Sequence, residues 1–196
     1  MERIGLTGGP GCGKSAVRKI FSGFDGWCCF DADAVCHEIY EEKNSPFTKL
    51  LVSRWGKEVI GENDLPDRKV IAEKIFDNEI ERQWLNSILH PEILMRIEKA
   101  SAALQNIRFV MVEASLLFET DWAGKMDRII AVWSAPEIQM KRLLERGWTE
   151  GHARKRIASQ ISADKKLEMA DFGIINNGSL EALYEQCLQL DRNLKK

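Results

Sequence analysis

The sequence predicts an α/β fold: one parallel five-stranded sheet with helices on both faces, a helical insert and a small helical lid. Three features predict it. Short apolar runs alternate with segments of helical periodicity, the pattern of repeated strand–helix–strand units. The first run passes straight into a glycine-rich turn and then a helix. Between the second and third runs lies a helically patterned stretch far longer than a crossover needs.

The elements follow in order. Residues 3–7 (RIGLT) are short, apolar and followed by glycines, so they read as a buried strand. Ala16, Val17, Ile20 and Phe21 then recur at helical spacing. Residues 27–30 (WCCF) form a second strand candidate that ends at Asp31. Helices are expected at 34–42, 46–55, 67–76, 80–89 and 91–104, separated by turn signals such as Gly56, Gly61 and Asn63-Asp64. Strands return at 109–112, ending at Glu113, then at 128–133 and, more weakly, at 172–175. A helix at 136–146, a basic helical stretch after it and a closing helix at 181–194 complete the pattern. The expected organisation is a core of residues 1–33 and 108–196, with a lid at about 141–160, and an insert of residues 34–107.

The chain has 196 residues with 28 basic and 30 acidic side chains, a net charge of −2, which argues against general affinity for nucleic acid. No run approaches the ~18 apolar residues that span a bilayer. The opening MERIGLTGG lacks a secretory apolar segment. Membrane association is therefore not expected. Five cysteines (Cys12, Cys28, Cys29, Cys36, Cys187) are an odd number without CxxC spacing, so neither a disulfide framework nor a zinc site is expected. A reduced, cytoplasmic setting follows.

Gly8-Gly9-Pro10-Gly11-Cys12-Gly13-Lys14-Ser15 fits GxxxxGK[ST], the phosphate-binding P-loop, with a strand before it and a helix after. Glycines let backbone N–H groups turn toward a phosphate, and the following helix adds its positive N-terminal end. Lys14 can reach the β- and γ-phosphates of a nucleotide, and the Ser15 hydroxyl can ligate Mg²⁺. Glu113, ending an apolar strand, resembles a Walker B carboxylate that holds a water on Mg²⁺; a solvated strand end is the plainer reading. Asp31 and Asp33 close the second strand, at the sheet edge where ligands bind. They share a face if the strand continues, and one can take a proton from an acceptor hydroxyl. Alternatively, Asp33 is a helix N-cap.

The sequence resembles the dephospho-coenzyme A kinase family. The resemblance runs from Ile4 to about Leu183 and rests on motifs in order. They are LTGGPGCGKS at 6–15, FDADAVCHEIY at 30–40, PDRKVIAEKIFDN at 66–78, LHPEI at 89–93, SLLFE at 115–119, QMKRLLER at 139–146 and ADFGIINNGS at 170–179. It implies a P-loop NTPase fold of three layers, α/β/α. It also implies ATP-dependent, Mg²⁺-assisted phosphorylation of the ribose 3′-hydroxyl of dephospho-coenzyme A. Asp33 is then the general base, and Asp31 supports the magnesium shell or holds Asp33 in place. ATP would lie on Gly8, Gly9, Gly11, Cys12, Gly13, Lys14, Ser15 and Ala16.

Basic residues concentrate between Lys141 and Arg156. Arg142 and Arg146, four apart, share a helix face. A closing arginine can stabilise charge on a transferred phosphoryl group. The family's QxxR pattern matches Gln139 and Arg142, which favours Arg142 in that role. Arg154, Lys155 and Arg156 read as a solvated face. By resemblance, the insert and the LLFE segment frame the acceptor site, and His37, Arg68, His90, Leu116 and Glu119 occupy matching positions. His90 before Pro91 also fits a helix start. Asn176 and Asn177 lie where adenine would sit, or form an ordinary Asn-Gly turn.

Three departures stand out. Ser115 replaces the family's usual proline, Ala16 replaces a common Ser or Thr, and residues 167–169 lack a basic side chain. A third basic phosphate contact is therefore not expected there. The nearest rival is a kinase of another small nucleotide or nucleoside. A GTPase-type switch has only the short DxxG match at 121–124 and no NKxD motif. The expected ligands are ATP and dephospho-coenzyme A, with no obligate protein partner implied.

Overall fold

The computed structural model describes residues 1–196. They form two compact units, Met1–Asp31 with Leu104–Lys196, and Ala32–Ala103.

In the first unit, β1 (Glu2–Gly8), β2 (Trp27–Asp31), β3 (Phe109–Glu113), β4 (Arg128–Trp133) and β5 (Phe172–Ile175) form one sheet in the order β2-β3-β1-β4-β5. Every pairing is parallel. The side-chain period of two divides each strand between the faces. Ile4, Leu6, Phe109, Met111, Ile130, Val132 and Ile174 pack on one face against Val17 and Phe21 of α1 (Lys14–Phe21) and Leu183, Cys187 and Leu190 of α9 (Leu180–Leu194). Trp27 stacks on Phe109 at 4.6 Å and donates its indole N–H to the buried Asp191 at 2.7 Å. The opposite face carries α8 (Ala163–Met169), which approaches so closely that a Cβ on Gly173 would collide with Leu167.

Between β4 and α8 lie α6 (Pro136–Glu145) and α7 (Glu150–Ala158). α6 is anchored, with Gln139 and Leu143 buried, whereas α7 buries only Ala153. Thr149, Ser162 and Ser179 accept backbone N–H bonds as N-caps of α7, α8 and α9. No helix is long and apolar enough to cross a membrane.

The second unit holds α2 (Ala32–Tyr40), α3 (Pro46–Trp55), α4 (Arg68–Ile75) and α5 (Glu79–Ala102). Ser45 caps α3 just before the helix expected at 46–55, and Asp67, expected as the first residue of the next helix, is instead the cap of α4. Two further expectations need correction here. The predicted helices 80–89 and 91–104 are one helix, with Pro91 inside it. A helix-interior proline costs about 3 kcal/mol. α5 buries Leu85, Leu89, Ile93, Leu94 and Ile97 as one continuous stripe, each worth ~1.5–3 kcal/mol, and burial wins. His90 therefore sits mid-helix and marks no helix start. Likewise, α2 begins at Ala32 immediately after β2 ends. Asp33 is thus neither a strand continuation nor the cap. It lies in the first helical turn, where the positive helix end favours a carboxylate.

Candidate active site

β1 runs out at Gly8, and α1 begins at Lys14. The loop between them turns on residues that adopt positive φ. Gly13, the N-cap of α1, has φ 95°, and a Cβ there would strike the Asn176 amide. An L-residue is therefore excluded twice, by conformation and by space. Lys14 is buried and folds back over the loop, donating to the Gly8 and Gly9 carbonyls at 3.0 and 3.2 Å. Its ammonium thus spans the turn whose glycines the sequence assigns to phosphate. Ala16, next on α1, is half-buried against the sheet core and contributes packing there.

Behind the loop, three side chains converge on its carbonyls. Asn176 Nδ2 donates to Cys12 O at 2.9 Å, and Ser134 Oγ lies 2.7 Å from Asn176 O and 3.2 Å from Cys12 O, its single proton shared between them. Arg142 reaches across from α6 to Gly11 O at 3.3 Å, to Ser134 Oγ at 3.0 Å and to Asn176 O at 3.1 Å. Arg142 thereby locks the loop to the end of β5. Asn177 Oδ1 accepts from the N–H of Ala135, the residue that precedes α6, at 2.9 Å. The side chains of Asn176 and Asn177 are thus engaged with the protein itself. Cys12 is fully buried, and burial pushes its thiol above the ordinary value despite the opposing charge of Lys14. At a given pH it is less thiolate than a free cysteine, which disfavours oxidation.

The carboxyl ends of β2 and β3 are in register, Asp31 opposite Glu113. Glu113 is almost buried, and both its oxygens are used. Oε1 accepts from Ser15 Oγ at 3.0 Å, and Oε2 accepts from Arg18 Nε at 2.6 Å. Arg18 also reaches Asp31 at 3.3 Å. One hydroxyl and two carboxylates are a hard-oxygen set of the kind that suits Mg²⁺, which keeps several waters and takes few protein ligands.

A dephospho-CoA kinase family model matches residues 3–182. The chain belongs to the dephospho-CoA kinase family. The family's dephospho-CoA kinase from Aquifex aeolicus is 33% identical over 196 residues, covering 100% of this chain and 99% of that protein. A Thermus thermophilus crystal structure superposes with a TM-score of 0.83 at 25% identity, covering 98% of this chain and 97% of that one. The dephospho-CoA kinase structure from Campylobacter jejuni gives 0.66 at 27% identity, covering 98% and 96%.

The remaining family-matched positions fall in both units. In the second unit, Asp33 and Cys36 share a face of α2, and Arg68 from α4 lies 4.8 Å above the Tyr40 ring. Burial pushes the Tyr40 phenol up to about 12, with Arg68 opposing, so it stays protonated at neutral pH. His37 pairs with Glu41 at 2.9 Å on an exposed surface, and His90 lies within α5. In the first unit Leu116 is exposed, and Glu119 pairs with the buried Lys166. Arg146 is exposed at the end of α6, and Arg154 pairs with Glu150. Asp121 of the DxxG match pairs with Lys125 at 3.6 Å.

Three residues that sequence reasoning misses, or sets aside, shape this site: Arg18, Ser134 and Lys166. Lys166 is fully buried, donates to Ser115 O at 2.5 Å and pairs with Glu119 at 2.9 Å. Glu119 also accepts from Ile161 N at 2.9 Å, just before α8. The pair fastens the segment after β3 to the chain returning from α7. Lys166→Met leaves Glu119 partly hydrated and still bonded to Ile161 N, so the cost falls below the ~3–5 kcal/mol of breaking a fully buried pair and includes the lost bond to Ser115 O. The substitution is expected to lower Tm by up to roughly 10 °C, measured by calorimetry, with Lys166→Arg recovering part of the loss. An unchanged Tm would show that the pair contributes nothing.

Proposed function

We infer that the chain transfers the γ-phosphoryl group of ATP to the 3′-hydroxyl of dephospho-CoA, giving coenzyme A. The observation that carries this reading is a phosphate loop with Lys14 and Ser15 at the carboxyl edge of the sheet, in a chain that matches the family from residue 3 to 182. A new bond forms between the 3′-oxygen and the γ-phosphorus as the bond to the β,γ-bridging oxygen breaks. ADP leaves, and the hydroxyl proton passes to the Asp33 carboxylate. Gly8, Gly9, Gly11, Cys12, Gly13 and Ala16 frame the phosphates with Lys14, which moves from the loop carbonyls to the phosphate oxygens. Mg²⁺, when bound, neutralises phosphate charge. Ser15 would hold it directly, with Asp31 and Glu113 acting through water. Arg142 steadies the loop and adds positive charge beside it, and Asn176 and Asn177 set the wall for adenine.

His37, Arg68, His90, Leu116 and Glu119 belong in this reading to acceptor recognition. Glu119 acts through its pairing with Lys166, which fixes the LLFE segment. Residues 1–33 and 108–196 form the nucleotide-binding core, 141–160 the lid and 34–107 the acceptor-binding insert. The division into compact units, at 31/32 and 103/104, lies within a few residues of those limits. The substrates are small and polar, consistent with a cytoplasmic enzyme.

The test is product analysis by mass spectrometry of the purified protein with ATP, Mg²⁺ and a panel of acceptors. Coenzyme A is expected from dephospho-CoA. Failure to form it, together with phosphorylation of a nucleoside monophosphate, would assign the other kinase class.

A further inference from the structure

Nothing in the sequence pattern separates Arg18 from its neighbour Lys19; both are basic residues in the last turn of α1. The structure separates them. The Arg18 guanidinium lies across the ends of β2 and β3, bonding Glu113 at 2.6 Å and Asp31 at 3.3 Å. It fills the position that two registered carboxylates on adjacent strands would otherwise offer to a metal ion. Both Glu113 oxygens are engaged, because the other one accepts from Ser15, the residue expected to ligate that ion.

We propose that Arg18 makes divalent-cation binding conditional on nucleotide: it occupies Asp31 and Glu113, so the cation enters with the polyphosphate and not before it. The proposal rests on the phosphoryl-transfer reading of this site. Its physical basis is charge. Lys14 and Arg18 balance Asp31 and Glu113, so these four side chains sum to zero. A doubly charged ion arriving alone gains no net attraction to set against its dehydration, which is reluctant for Mg²⁺. A nucleotide triphosphate changes that balance by several negative charges and supplies oxygens of its own. Arg18 is therefore a positioning residue. It holds Glu113 against Ser15 and keeps the carboxylate pair closed to free metal.

Without Arg18, Asp31 and Glu113 would keep their register and lose their counter-ion. Two carboxylates at the spacing of adjacent strands, beside a serine hydroxyl, would then accept a divalent ion unaided. A purely structural arginine would affect thermal stability alone.

The experiment titrates Mn²⁺ into the full chain, following the free-ion signal by electron paramagnetic resonance, with and without a non-hydrolysable ATP analogue. The natural chain is expected to bind one Mn²⁺ with the analogue and at least tenfold more weakly without it. Arg18→Gln is expected to bind Mn²⁺ without the analogue at least tenfold more tightly than the natural chain. Arg18→Lys, which keeps the charge, should behave as the natural chain does. Arg18→Gln combined with Glu113→Gln should lose the gained binding. An Arg18→Gln protein that titrates like the natural chain without nucleotide overturns the proposal. So does a natural chain that binds Mn²⁺ equally well in both conditions, a result that needs no variant to fold. Failure to form coenzyme A in the acceptor panel would leave these titrations unaltered, so the two failures are separable.

Discussion

Replacing Asp33 by Asn is expected to lower kcat by about 10²- to 10⁴-fold, the usual contribution of a positioned general base. The affinity for ATP should stay within about twofold, since the amide has the carboxylate's shape and the phosphate loop lies elsewhere in the chain. The size of the effect follows from what the amide lacks: it cannot accept the hydroxyl proton at neutral pH. Position supports the role. Asp33 is two residues beyond Asp31, at the carboxyl end of β2, and in the first turn of α2, where the helix end stabilises its charge. Single-turnover measurements isolate the transfer step from product release. Near-normal transfer in the variant, with ATP affinity unchanged, would remove Asp33 from the reaction.

Lys14→Met carries the second large effect, about a 10²- to 10³-fold loss in kcat, comparable with losing one preorganised charge-stabilising donor. Weaker ATP binding should accompany it. Lys14 is buried and hydrogen-bonded to Gly8 and Gly9. The substitution therefore also removes two loop contacts, and a fall in activity alone would be ambiguous. Lys14→Arg resolves this. It restores charge but not the compact ammonium that fits between the two carbonyls. If the loss stems from phosphate stabilisation, Arg recovers part of kcat. If the loop contacts dominate, both variants should lose thermal stability to a similar degree. Full activity in Lys14→Met would contradict the assignment of the loop.

The fold was legible where its signals are local. Five apolar runs became five parallel strands, with the 128–133 and 172–175 runs matching β4 and β5 end to end. The helix at 46–55 also agrees with α3, because a serine cap, a proline at the first helical position and a terminal glycine bracket it. Pro91 misled for the opposite reason. A proline is a strong local stop signal, and here the buried stripe of α5 outweighed it. The phosphate loop was legible as a motif, and its geometry fits the spacing. What stayed hidden was the surrounding frame. Arg18 meets Glu113 across 95 positions, and Ser134 meets Cys12 across 122. Lys166 meets Ser115 across 51. Such contacts leave no periodicity within any window, so only the folded chain reveals them. Sequence reading gave Arg142 a part in the chemistry and could not see that its guanidinium also fastens the loop.

The Asn176, Ser134 and Arg142 side chains gathered at the Gly11 and Cys12 carbonyls bear on how tightly a nucleotide can be held. A trans peptide unit points its C=O and the next N–H in opposite directions. Pinning Cys12 O therefore turns Gly13 N–H the other way, away from those side chains. The orientation an anion requires is fixed during folding, and little conformational freedom is left to lose when the ligand arrives. Preorganisation of this kind appears in affinity as an entropy not spent. It also gives the asparagine, the serine and the arginine behind the loop a part in shaping it.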